Sequence, residues 1–189
     1  FGLVLMMLSV LKVRETLPVE RRSAAGPRPA LASYGVLFRD RRYVGLVLTA
    51  CTAMGALFAY ISSATFIYQE LYGMSVQQYA FAFAAGAGAL TVTSQVNGFL
   101  VKRMHPARIM SLALPVLVLV AISLLAVALI DMGPWPIVIG VTALMGCVGF
   151  IMPNAPVIAL NDHGMRAGSA AAVLGASNFV FGALVSPIS

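Results

Sequence analysis

The chain has 189 residues, of which 60% are apolar and 10% charged, and its net charge is +6. Ordinary soluble proteins carry ~25% charged residues, so this composition argues against a water-soluble domain. The positive charges sit in short connections between long apolar runs, which argues against a nucleic-acid surface and for a lipid bilayer.

Residues 1–11 are apolar and read as the tail of a helix whose start lies outside the chain. They lack a small-residue cleavage site and precede a basic loop, so they do not read as a secretory signal. The chain is expected to be a piece of a longer polypeptide. Residues 12–42 form the one long connection and hold Lys12, Arg14, Arg21, Arg22, Arg28, Arg39, Arg41 and Arg42. Pro18, Gly26, Pro27 and Pro29 break regular structure there. Beyond them, Leu31, Tyr34, Leu37 and Phe38 recur at helical spacing ahead of a basic end. That pattern suits a short helix lying on the inner leaflet, with an ordinary loop as the alternative.

Five runs without Asp, Glu, Lys or Arg follow, at 43–69, 71–101, 109–130, 132–161 and 167–189. A helix needs ~20 apolar residues to cross a bilayer, and each run meets that length. The expected fold is therefore all-α, a polytopic transmembrane helical bundle, with 43–189 as its membrane domain. Basic residues mark alternate connections. Loop 102–108 holds Lys102, Arg103 and Arg108, and loop 161–167 holds Arg166. The connections around residues 70–76 and 131–136 hold no Lys or Arg. Basic loops stay in the cytoplasm, so 12–42, 102–108 and 161–167 are expected inside and the other two outside. Tyr43 is expected as an anchor at the inner face, and Tyr68, Tyr72 and Trp135 at the outer one.

Small residues crowd two runs. One carries Ala82, Ala84, Ala85, Gly86, Ala87, Gly88 and Ala89, and the other places Gly168, Ala172 and Ala176 at four-residue spacing. Such stripes allow close helix packing in lipid. Pro115, Pro153, Pro156 and Pro187 each remove a backbone donor, and Pro153-Asn154-Ala155-Pro156 sets a polar side chain beside a helix defect.

Polar side chains inside the runs are the candidate functional groups. Ser and Thr commonly bond their own helix and carry less weight. Gln95, Asn97, Asn154 and Asn178 have larger unmet demand, to be met either by interhelical hydrogen bonds or by a substrate. Aromatics lie among them: Phe58, Tyr60, Phe66 and Tyr68 on the first complete run, and Tyr79, Phe81 and Phe83 on the second. Tyr60, Phe66, Gln95, Asn154 and Asn178 are the expected substrate-binding residues. An aromatic pocket with few polar groups suits flat, amphiphilic small molecules. Cys51 and Cys147 both fall within runs and read as small packing residues. His105 and His163 read as solvated loop histidines. No nucleophile elbow, metal-ligand spacing or mid-run charge is present, so neither an enzyme nor a cofactor is expected.

Glu15-Thr16-Leu17-Pro18 with Arg21-Arg22, then Leu57-Phe58-Ala59-Tyr60-Ile61-Ser62, Phe66-Ile67-Tyr68-Gln69 and Tyr72-Gly73-Met74-Ser75, resemble major facilitator superfamily drug exporters of the Bcr/CflA group. Ser94-Gln95 with Asn97, and Ala167-Gly168-Ser169-Ala170-Ala171, match the same group. Gly98 to Arg103 is similar to the superfamily's loop signature, but carries Lys102 at the usual Asp position and His105 at the second Gly. The resemblance implies two six-helix halves. Residues 1–11 would then end the sixth helix, 12–42 would be the central cytoplasmic loop, and 43–189 would run from the seventh helix into the eleventh. It also implies a bacterial inner membrane and proton-coupled efflux of a small-molecule substrate by alternating access. The coupling carboxylate is expected in the N-terminal half, since the runs here hold none. A metabolite transporter of the same fold, or a receptor or scaffold that transports nothing, are the competing readings.

Overall fold

A computed structural model describes Met6, Met7, Leu11 and residues 27–186. Most of the segment expected to end a helix, residues 12–26 of the long loop, and Pro187 lie outside the described residues; Met6, Met7 and Leu11 are helical. Every regular element among the described residues is a helix. They are α1 (Pro27–Arg39), α2 (Arg41–Thr65), α3 (Val76–Leu100), α4 (Pro106–Leu129), α5 (Pro134–Asn161) and α6 (Ala167–Val185). A π-helical turn, Phe66–Leu71, prolongs α2, and a 3-10 turn, Gly164–Arg166, leads into α6.

Helix starts follow local chemistry. The Asp40 carboxylate accepts from the backbone N–H groups of Arg42 (2.8 Å) and Tyr43 (3.3 Å) and so begins α2. Ser75 and Gln78 form a reciprocal capping box at α3. His105 Nδ1 accepts from Ala107 N–H ahead of α4, whose first residue is Pro106. Gly133, at φ 85°, turns the chain into α5.

Four of these helices are long and apolar enough to cross a membrane: Arg41–Leu71, Pro106–Leu129, Pro134–Asn161 and Ala167–Val185. The fifth expected span, α3, forms as an uncharged 25-residue helix but is less apolar. Gln77, Gln78, Gln95 and Asn97 offset its alanines and phenylalanines.

α5 is the centre of the bundle. It packs most extensively on α3 and α4 and also against α2, while α6 packs mainly on α2 and touches α5 only lightly. Phe181 of α6 lies over Gly55 of α2, and Phe58 of α2 lies over Gly182 of α6. Each glycine lets the partner ring approach the backbone, the close contact that drives association in lipid. The stripe Gly168, Ala172, Ala176 does not take part: it is exposed, and Ala170, Leu174 and Gly182 are the buried positions of α6. On α3 only Ala82 and Gly86 of the small-residue run are buried.

The expected helix after Pro27 forms, but its apolar positions divide. Leu37 is buried and Tyr34 packs beside it against α2 and α6, whereas Leu31 and Phe38 are exposed. Tyr43 corrects the expectation of an interfacial anchor. It is 1% exposed, and its hydroxyl donates to the Ala170 carbonyl at 2.7 Å, tying α2 to α6. Tyr68 is likewise buried rather than at a rim, while Trp135 is exposed.

The two ends of the bundle differ. Connections with basic residues gather at one end and those without at the other. At the latter, Tyr72 donates to Asp131 Oδ1 at 3.3 Å, joining the α2–α3 and α4–α5 connections. Partial burial, and in smaller part the Asp131 carboxylate, hold the Tyr72 phenol above its ordinary range.

Candidate functional site

An apolar cleft of about 280 Å³ opens among α2, α4 and α5 in the half of the bundle away from the basic loops. α2 supplies Ala56, Ala59, Tyr60 and Ser63, and the π-helical turn after it supplies Tyr68; α5 supplies Ile137, Val141, Leu144 and Met145; Leu124 of α4 closes one side. Alanines at 56 and 59 leave the room, and the bulkier side chains bound it.

Tyr60 is held by three contacts. Its ring stacks on Phe83 of α3 at 5.2 Å with 17° between planes. Its hydroxyl donates to the Phe83 carbonyl at 3.3 Å. Gly86 makes this approach possible, since a Cβ there would lie 2.9 Å from the Tyr60 oxygen. Tyr79 continues the cluster, 5.9 Å from Phe83 and 6.4 Å from Tyr68, and Thr65 Oγ1 bonds its hydroxyl at 3.2 Å. Tyr60 and Tyr68 are thus the aromatic members of the lining, with Phe83 and Tyr79 packed beside them. The lining contains no charged residue.

Of the five expected binding residues, only Tyr60 lines this cleft. Phe66 is exposed on the π-helical turn and Gln95 is exposed on α3. Asn178 is half-buried on α6, and its Oδ1 is buried without a hydrogen-bond partner. Asn154 departs furthest from the expectation of a wall residue. It is 1% exposed and donates both to Asn97 Oδ1 (2.6 Å) and to the Phe150 carbonyl (2.7 Å). Its amide is committed to the α3–α5 interface, because an unpaired amide would be costly there.

Most of the Ser and Thr hydroxyls bond within their own helices, as expected. Thr49, Thr52, Ser63, Thr91, Thr93 and Ser123 bond carbonyls of their own helices. Thr65 and Ser94 instead bond across to other helices. Pro153 has no N–H to give to Gly149, four residues earlier. Ser94 Oγ of α3 supplies that donor at 3.2 Å. The signal was present as a proline four residues after a glycine, but nothing in the sequence said which helix lies opposite. The α5 lining residues were also missed, since their apolar side chains look the same in a wall as in a core.

This arrangement defines a multi-pass helical membrane protein with an uncharged cleft between its helices. The whole chain, residues 1–189, matches the model of the Major Facilitator Superfamily, and the chain belongs to that family of membrane transporters. It is similar to the uncharacterized MFS-type transporter YdgK of Bacillus subtilis (strain 168), with 30% identity over 187 residues, 99% of this chain and 46% of the relative. It is also similar to the bicyclomycin resistance protein homolog of Haemophilus influenzae, with 26% identity over 187 residues, 99% of this chain and 47% of the relative. The chain thus spans about half the length of the curated relatives it matches. No solved structure matches it.

Proposed function

We propose that the chain is the C-terminal half of a proton-coupled exporter of drug-like small molecules, of the Bcr/CflA type, in a bacterial inner membrane. The observation that carries this reading is the cleft: aromatic on one side, aliphatic on the other, and free of charge. Ligand pockets for drug-sized molecules run from ~300 to 1,000 Å³, so a cleft of about 280 Å³ holds part of such a molecule and the opposing half holds the rest. Similarity to a protein named as a bicyclomycin resistance homolog supports the same substrate class. The exposed small residues of α3 (Ala84, Ala87, Gly88) and of α6 (Gly168, Ala172, Ala176) suit close approach of helices from the other half. Residues 1–11 then end the sixth helix, 12–42 form the central loop with α1 on the inner leaflet, and 43–189 begin the second helical half. Loops with basic residues face the cytoplasm.

Protons are the coupling ion in this reading, and the group that takes them lies in the N-terminal half, because the uncharged runs carry no carboxylate. A metabolite transporter would present charged or densely hydrogen-bonding groups at the site, and this cleft offers Tyr60, Ser63 and Tyr68 alone as polar members. The test is the drug susceptibility of cells expressing the intact transporter, with and without a proton uncoupler. Resistance to apolar aromatic drugs that the uncoupler abolishes is the expected result. Unchanged susceptibility to every drug, with uptake of a polar metabolite, would replace the reading with the second one.

A further inference from the structure

His163 sits in the turn between α5 and α6, at the basic end of the bundle, and its side chain is only 10% exposed. Both ring nitrogens face acceptors. Nδ1 lies 3.1 Å from the Ala159 carbonyl, and Nε2 lies 3.1 Å from Asp40 Oδ2. A carbonyl cannot donate and an ionised carboxylate cannot donate, so the ring satisfies both contacts only when both nitrogens carry protons. The ring also stands edge-on to Tyr43, with centroids 5.0 Å apart at 68°. Asp40 is the residue that caps α2, so one carboxylate joins the α1–α2 junction to the α5–α6 turn.

We propose that His163 and Asp40 form a proton-binding site at the basic end of this half, and that the bound proton fastens the α5–α6 turn to the α1–α2 junction. The site lies outside the cleft and does not depend on which substrate is carried. With the proton on Nε2, the imidazolium donates to Asp40. When one proton leaves, the neutral ring has a single N–H for two acceptors and its ionic attraction to Asp40 is lost. Histidine is the side chain whose ordinary charge change falls between about pH 5 and 8. The carboxylate stays ionised throughout that range. The N–H groups of Arg42 and Tyr43, and in smaller part His163, hold it below the usual carboxylate range.

The neighbouring charges do not replace this contact. Arg42 Nη1 pairs with Asp162 Oδ2 at 3.2 Å, a parallel tie between the same two segments that involves no histidine proton. Arg39, Arg41, Lys102, Arg103, His105, Arg108 and Arg166 are exposed at this end. Among the described residues, the ion pairs are Arg42–Asp162 and His163–Asp40. The proton on His163 is therefore the variable element of the junction.

The experiment places spin labels on Val36→Cys of α1 and Gly164→Cys of the turn, in the intact transporter freed of other cysteines. Both sites are exposed, and a side chain at Gly164 meets nothing within 4 Å. The expected result is one narrow distance at about pH 6 and a second, longer distance that gains population towards about pH 8, where histidine is neutral. Asp40→Asn keeps a good helix cap but removes the charge. That variant and His163→Gln are each expected to abolish the pH response, while Arg42→Gln retains it. A pH-independent distance in the parent, or a response that survives in His163→Gln, overturns the proposal. Loss of the response in Arg42→Gln also overturns it, by showing that the whole charge cluster and not the proton site is responsible.

Discussion

Asn154 of α5 donates its amide to Oδ1 of Asn97 on α3 at 2.6 Å, with both side chains buried, at 1% and 4% exposure. Three residues before Asn97, Ser94 caps the carbonyl that Pro153 leaves without a donor. α3 and α5 are thus cross-linked by two polar contacts on either side of a proline. The local weakness that Pro153 introduces into α5 is repaired from the neighbouring helix.

Removing one member of the amide pair leaves the other buried without its partner, at a cost of about 1–3 kcal/mol. Asn154→Ala and Asn97→Ala are each expected to lower the unfolding temperature of the intact protein in detergent. A double-mutant cycle should give a coupling near the ~0.6 kcal/mol average of interhelical hydrogen bonds, and at most ~1.7 kcal/mol. The substrate profile of the folded fraction should be unchanged. A selective change in export of one substrate by Asn154→Ala, at normal stability, would restore Asn154 to the wall of the cavity.

Gly149 marks the closest approach of α5 to α3. A Cβ at this position would overlap Thr93 Oγ1 and lie 2.7 Å from the Leu90 carbonyl oxygen. Backbone cannot move aside as the end of a flexible side chain can. Gly149→Val is expected to destabilise the bundle by roughly 1–3 kcal/mol, the usual range for overpacking, or more. Thr93→Ala should restore only part of the loss, because the Leu90 carbonyl remains. The fraction of monodisperse protein after heating measures both effects. Full recovery in the double variant would mean that the threonine alone sets the helix spacing.

Tyr60 should discriminate between substrates. Tyr60→Ala removes one wall of the cleft, and loss of an aromatic contact of ~1.4 kcal/mol weakens binding about tenfold. Aromatic drugs are expected to lose resistance most. Tyr60→Phe keeps the stacking on Phe83 and removes only the hydroxyl contact to its carbonyl, so its effect should be small. Met145→Trp fills the cleft from α5 and should exclude the largest substrates first. Equal loss for every substrate in all three variants would indicate a folding defect and not a binding wall.

Acid should weaken the start of α2. The folded-state pKa of Asp40 is lowered, so its stabilising contribution is complete above the ordinary value of 3.8 and is lost as pH falls through the lower folded value. Asp40→Asn is expected to remove this acid limb from the pH–stability curve while leaving helix content near neutrality unchanged. Thermal unfolding of parent and variant at successive pH values below neutrality compares the two. Parallel curves down to the acid limit would mean that Asp40 contributes no pH-dependent stability.

The uncharged runs determined the helices. Residues 109–130 became α4 (Pro106–Leu129) and 132–161 became α5 (Pro134–Asn161), with ends shifted only where a proline or a cap intervened. The physical reason is that a chain in hydrocarbon must satisfy its backbone hydrogen bonds within each segment, so length and apolarity suffice without knowledge of the neighbours. Which face of each helix packs was not legible in the same way. A helix that is apolar all round has no preferred side in its sequence. Gln95 and Asn97 stand two residues apart, and only packing against α5 exposed the first and buried the second. His163 looked like a loop histidine until the fold brought Asp40, 123 positions earlier in the sequence, to its ring. Contacts of that kind depend on where separate helices meet, and in lipid that is decided by side-chain fit and polar pairing between neighbours, properties that no single segment carries.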